Sequence, residues 1–275
     1  MSISINLSIS STSIMECIKP SLYLSIVACS LPLYFNCFPI ATLATQKMQF
    51  PSQGTKQDGL ISQAFKPPKR GSPPVSAGGS TRGSVCISGK QLITPLIPSN
   101  KLGLTFAERP KFFWYVPQTS VKTAKLLLLS DADQNVLYET TLTLPNTPGI
   151  VSYTLPESAP PLAIGKTYHW YLTLVCDAQD FSTNPRVEGW VERIQPESSL
   201  SEKLATADAR KLPYIYAEAG IWHEALTAIA QLRYSEPKNL RNILNWRQFL
   251  TSVGLNAIAS EPLLDCCQAE NSASK

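Results

Sequence analysis

From Gln91 to Ile194 apolar and polar residues recur in short runs. KFFWYV (111–116), KLLLLS (125–130), VLYETTLTL (136–144), IVSYTL (150–155), TYHWYLTLVC (167–176) and RVEGWVERI (186–194) read as six short β-strand runs. Turn formers separate them: Asp131 to Asn135, the PNTPG stretch from Pro145 to Gly149, and Pro160-Pro161. Short strands punctuated in this way predict an antiparallel β-sandwich. Within VLYETTLTL, residues Val136, Tyr138, Thr140, Leu142 and Leu144 share one face, because strand side chains alternate. Beyond Pro196 the apolar spacing becomes helical. Helices are predicted over 199–218, 221–234 and 238–253, with Gly220, Pro237 and Gly254 standing where helices stop. The fold class expected is α+β, with a β-sandwich over 85–196, a helical hairpin over 199–265 and a tail over 266–275.

Two stretches sharpen this outline. In LAIGKTYHWYL, Leu162 lies six residues before Tyr168, at the start of an aromatic-rich strand. This resembles the tyrosine corner of immunoglobulin-like and fibronectin-type sandwiches, whose hydroxyl bonds back to upstream backbone. Tyr168, Trp170 and Leu172 then alternate with His169 and Tyr171, and periodicity leaves open which set faces inward. In YAEAGIWHEALTAIAQLRYSEP (216–237), residues Gly220, Trp222, Ala225, Leu226, Leu232 and Pro237 fall where the second half of a tetratricopeptide repeat has its glycine, aromatic, small residue, apolar pair and proline. An array needs at least ~3 repeats to bury a continuous core. One unit therefore predicts tetratricopeptide-like helices packed on each other and on the sandwich. Trp222 is expected in the core. His223 and Glu224 are expected as an exposed pair, and adjacent helical residues do not face each other, which argues against a catalytic dyad.

The N-terminal 44 residues carry only Glu16 and Lys19 as charges. A basic residue, an apolar run and the small-residue end Thr42-Leu43-Ala44 predict a secretory leader, 1–44, with translation starting at Met1 or Met15. If it is not cleaved, the run is about long enough to anchor the chain in a membrane, at ~20 residues. Residues 45–84 are rich in Pro, Gly, Ser and Lys and read as a flexible linker. Its KPPKR segment (66–70) is expected to be a solvated tether, with contact to an acidic surface as the alternative. The net charge of +4 indicates solubility and no dedicated nucleic-acid surface. Outside the leader there are four cysteines, Cys86, Cys176, Cys266 and Cys267, and four permit three connectivities.

Candidate chemistry is thin. The only histidines are His169 and His223, too few for a multi-histidine metal site, and no Gly-x-Ser-x-Gly elbow accompanies them. CDAQDFSTNP (176–185) gathers Asp177, Asp180, Ser182 and Asn184, oxygen ligands of the kind calcium takes. Their spacing fits Asx turns better. GGSTRG (78–83) follows no strand and lacks phosphate-loop spacing. VEGWVER places Glu188, Trp190 and Glu192 on one strand face. Two carboxyl groups ~5–10 Å apart in an open cleft would suit a glycosidase, whereas half-buried Trp170 and Trp190 over a filled core would suit a scaffold. No cofactor and no metal are expected.

Taken together, GGSTRGSVC, KFFWYVP, LYETTLTLPNTPGIVSYTLP, PPLAIGKTYHWYLTLVCD, VEGWVERI and YAEAGIWHEAL resemble the cyanobacterial family of the domain of unknown function 928. The likeness runs from about Gly78 to Cys266. It implies an exported protein, periplasmic or extracellular, with no established activity and an envelope or secretion-linked setting. It carries no catalytic residue over. Cys86 and Cys176 both lie inside the family-like core, which makes them the expected disulfide, with Cys86–Cys266 or Cys86–Cys267 next. The functional expectation is a non-enzymatic interaction or scaffolding module with a protein partner. The alternative is a carbohydrate-binding or carbohydrate-active protein using Glu188, Trp190 and Glu192.

Overall fold

The computed structural model describes residues 65–70, 86–130, 135–264 and 267. The six apolar runs are strands β3 (Lys111–Val116), β4 (Thr123–Leu129), β5 (Val136–Thr143), β6 (Gly149–Thr154), β7 (Thr167–Leu174) and β8 (Arg186–Arg193), preceded by the short β1 (Thr94–Pro95) and β2 (Leu102–Thr105). They form two sheets, ordered β1-β3-β6 and β2-β8-β7-β4-β5. All pairings are antiparallel except β2 on β8. Four helices follow: α1 (Ser198–Ala205), α2 (Leu212–Glu218), α3 (Trp222–Ser235) and α4 (Leu240–Ser252). The class is the mixed α+β one expected. The leader, Gly78 to Gly83 and most of the tail lie outside the described residues.

Strand alternation builds two cores back to back. Phe112, Trp114 and Val116 of β3 join Leu126 and Leu128 of β4 and Tyr168, Trp170 and Leu172 of β7 in a core to which both sheets contribute. His169 and Tyr171 consequently take the opposite face of β7. The Tyr168 hydroxyl accepts the Ala163 backbone N–H at 2.8 Å, closing the corner before β7. The other face of β3 presents Phe113 and Tyr115, which with Ile150 of β6 meet Trp222, Ala225, Leu226 and Ile229 of α3 and Trp246, Phe249 and Leu250 of α4. Trp222 is fully buried. Its indole N–H donates to the Leu96 carbonyl at 3.0 Å, and its ring stacks on Phe249 at 5.2 Å.

Three features depart from the expected outline. The helix expected over 199–218 is broken at 206–211. Asp208 Oδ1 accepts the Arg210 N–H at 2.8 Å, a local turn that competes with the helix. Pro213 sits in the first turn of α2, where its missing N–H is harmless, so the helix restarts there. Trp190, expected half-buried at a sheet edge, is 3% exposed, and Trp170, whose facing periodicity left open, is 2% exposed. Within the expected tether, Phe65 to Arg70 lie against the helices, with Phe65 buried beside Trp222. The outer edge of β6 is also covered: Ile150 N–H donates to Pro262 O at 2.7 Å and Leu264 N–H to Ile150 O at 2.8 Å.

Cys86 and Cys176 form a disulfide, with Cα atoms 5.7 Å apart and a sequence separation of 90 residues. It ties the segment before β1 to the end of β7. Closing a loop of that length stabilises by about 4 kcal/mol in the chain-entropy model. Mass spectrometry of the oxidised protein should find no free thiol at either position, and Cys86→Ala with Cys176→Ala should lower stability by about 2–5 kcal/mol. Free thiols at both, or an unshifted melt, would contradict this. Trp222→Ala is expected to lose about 3–5 kcal/mol, the range for truncating a buried aromatic. A wild-type melting temperature for that variant would remove Trp222 from the core.

Candidate functional site

A set of buried polar groups lies where the first turn of α3 meets the β2–β3 connection. Glu224 Oε1 accepts the Thr105 hydroxyl at 2.7 Å, the Phe106 N–H at 2.9 Å and the Ala107 N–H at 3.0 Å. These bonds join α3 to the chain leaving β2. Burial pushes the Glu224 carboxyl above the usual carboxylate range, against the downward pull of those hydrogen bonds. Its other oxygen, Oε2, is buried with no hydrogen-bond partner. His223 is 5% exposed. Its Nδ1–H donates to the Lys111 carbonyl at 3.0 Å, a bond that assigns the tautomer. The ring lies edge-on to Phe112 at 5.2 Å. Burial lowers its pKa to about 4, so at neutral pH the imidazole is uncharged.

The expectation of an exposed His223–Glu224 pair is therefore wrong. Helical periodicity assigns one face of α3 to the core, but the first turn of α3 is enclosed on more than one side. Trp222 points to β1 and α4, while His223 and Glu224 meet β2, β3 and their connection. The enclosure of His223 depends on Gly103, a neighbour distant in sequence. A Cβ there would stand 2.6 Å from His223 Nε2, so the close approach of the ring requires glycine at this point of β2. Each member of the pair is bonded to its own backbone partners. A cleft of about 400 Å³ opens beside them, lined by Arg109, Lys111, Tyr216, Glu224, Thr227 and Gln231 among others.

The second candidate is the outer face of β7 and β8. Glu188 and Trp190 do share that face. Lys101 Nζ donates to Glu188 Oε1 at 2.8 Å, and His169 Nε2 lies 3.6 Å from Glu188 Oε2. His169 stacks on Trp190 with ring centres 3.9 Å apart, and the Tyr171 hydroxyl lies 3.0 Å from His169 Nδ1. Glu192, farther along β8, pairs with Arg70. The carboxylates are thus engaged by cations from elsewhere in the chain, and the tryptophan is buried under its neighbours.

The 176–185 loop is held by its own side chains. Asp177 Oδ1 accepts the N–H groups of Gln179 (2.7 Å) and Asp180 (3.1 Å), and Asp180 Oδ1 accepts that of Ser182 (2.9 Å). Asn184 bridges back to Cys176 and Asp177. These are Asx-type turns. Among the described residues no cluster of three or more His, Cys, Asp or Glu could hold a metal ion. No helix among them is long and apolar enough to cross a membrane.

A family model described as Domain of Unknown Function (DUF928) matches residues 77–263. No curated protein matches the chain. The solution structure of the fn3 domain of human collagen alpha-1(XX) chain is 14% identical and covers 42% of this chain and 92% of that one, with a TM-score of 0.25, too low to equate the folds.

His223 makes stability depend on pH. Its folded pKa of about 4 lies below the ordinary value of 6.5, so the unfolded chain takes up the proton first. The stability it contributes is complete above about pH 6.5 and is lost as pH falls towards about 4, by ~3 kcal/mol over those ~2.5 units. Glu224, shifted upward, acts in the opposite sense, favouring the fold at low pH. His223→Asn keeps a donor for the Lys111 carbonyl and removes the titration. Its stability relative to wild type, measured by denaturant unfolding at pH 7, 5 and 4, should improve as pH falls. A gap that stays constant would show that His223 does not titrate between folded and unfolded states.

Proposed function

We propose, given that the chain belongs to the Domain of Unknown Function (DUF928) family, that it is a non-enzymatic interaction module, exported to the periplasm or the extracellular space, with a protein as partner. Its body is a fibronectin-like β-sandwich, a reading supported by the strand orders β1-β3-β6 and β2-β8-β7-β4-β5 and by the corner bond of Tyr168. Its helices are a tetratricopeptide-like hairpin, supported by the left-handed Gly220 between α2 and α3 and by the fully buried Ala225. Export is supported by the Cys86–Cys176 disulfide, since such bonds persist in oxidising compartments. Membrane contact is assigned only to a retained leader.

One observation carries the non-enzymatic reading. The ionisable groups best placed for chemistry are used as joints: Glu224 binds one hydroxyl and two backbone N–H groups, His223 binds a backbone carbonyl, and Glu188 and Glu192 are paired with Lys101 and Arg70. A general acid or base needs a reachable proton and a place for substrate, whereas these contacts fix one element to another.

Affinity purification of the full exported chain from a periplasmic fraction, run beside a glycan array, tests the proposal. A protein that co-purifies in constant ratio through a second, orthogonal step, with no glycan bound, is expected. Saturable glycan binding or glycan cleavage without any protein partner would overturn it and return attention to Glu188, Trp190 and Glu192.

A further inference from the structure

We infer that the groove across the α2–α3 turn is a receptor site for an extended peptide carrying an aromatic residue followed by Lys-Pro-Pro, and that Phe65 to Arg70 of this chain is the tethered ligand that fills it. The site supplies the ligand class of the interaction module proposed above and rests on that reading.

The occupant has the contacts of a peptide in a groove rather than those of a fold element. Its anchor is Phe65, 5% exposed, with its ring edge-on to Trp222 at 4.9 Å and to Phe249 at 6.4 Å. Its backbone is held at two points. Phe65 N–H donates to Ser252 Oγ at 3.3 Å, at the end of α4. Lys66 N–H donates to the Ala217 carbonyl at 3.2 Å, in the last turn of α2, a carbonyl that also accepts the Gly220 N–H. Lys66 Nζ lies 3.6 Å from Glu218, and Arg70 pairs with Glu192. An aromatic anchor in a desolvated pocket, main-chain bonds beside it and charges at the rim are the recurring parts of peptide recognition. Pro67 and Pro68 limit the backbone freedom lost on docking.

The receptor is shaped for a passing backbone. Gly220 has φ +76°, and a Cβ on it would stand 2.9 Å from the Lys66 carbonyl oxygen and 3.2 Å from Pro68 Cδ. The same glycine that turns the chain between α2 and α3 thus leaves room for the ligand. Fifteen residues, 71–85, separate Arg70 from Cys86, which the disulfide pins. That length spans up to ~50 Å when extended. Covalent attachment to the same chain raises the local concentration of the ligand at the site.

The test uses a fluorescent peptide of residues 62–71 (SQAFKPPKRG) and the full chain, as wild type and as Phe65→Ala. Fluorescence anisotropy should show saturable binding to the variant and binding at least tenfold weaker to wild type, whose own ligand competes. The same peptide with Phe replaced by Ala should not bind, and the parent peptide should raise the variant's melting temperature towards that of wild type. Should Phe65→Ala not fold, Lys66→Glu with Arg70→Glu loosens only the rim and serves for the same readings. A variant that melts cooperatively yet binds no peptide would overturn the site, as would equal binding to variant and wild type. Neither result touches the interaction reading, which falls only if affinity purification finds no protein partner.

Discussion

Strand β3 is buried on both faces, and the rest of the fold is arranged around that fact. Five successive residues, Phe112 to Val116, are each at most 3% exposed. Alternation sends Phe112, Trp114 and Val116 into the core to which both sheets contribute, and Phe113 and Tyr115 to the other side. An antiparallel sheet commonly leaves one face to water. Here the outer face would expose two aromatic side chains, each worth about 1.5–3 kcal/mol on burial. The helices follow from this demand: α3 and α4 bring Trp222, Ile229, Trp246 and Phe249 onto Phe113 and Tyr115.

Covering that face creates a polar problem at its end, where α3 begins beneath the β2–β3 connection. Glu224 and His223 meet backbone groups there that would otherwise be buried without partners. A carboxylate that receives three hydrogen bonds on one oxygen tolerates burial better than an unpaired one, yet Glu224 Oε2 is left bare and the carboxyl is pushed upward. His223 is kept neutral and joins α3 to β3 through the Lys111 carbonyl. The junction is thus specific in geometry and sensitive to acid, a consequence of placing ionisable groups at a joint between layers.

Much of the architecture was legible because apolar and aromatic runs bounded by turn formers occupy the long strands. KFFWYV, TYHWYLTL and RVEGWVER declare themselves, and Gly220 and Gly254 adopt the left-handed turns at the ends of α2 and α4. β1 and β2, at two and four residues, are too short to show a period. The burial of His223 was not legible because it depends on a non-local neighbour, the bare Cα of Gly103 in β2. The break at 206–211 was readable in Asp208 and Pro213, whose turn and helix-start preferences outweigh the helical spacing around them. Phe65 was the overlooked signal in its region: a single large aromatic beside KPPKR, in a stretch whose average composition reads as tether, is the residue that enters the helical core.

If β3 joins the two cores, sheets and helices must unfold together. Equilibrium denaturation followed by helical circular dichroism and by tryptophan fluorescence addresses this, since Trp114 and Trp170 report one core and Trp222 and Trp246 the other. The account predicts coincident transitions by both probes, and predicts that Phe113→Ala, which touches only the helix-facing core, moves both to lower denaturant by the same amount. Loss of the helical signal while the fluorescence transition stays in place, in wild type or in Phe113→Ala, would contradict it.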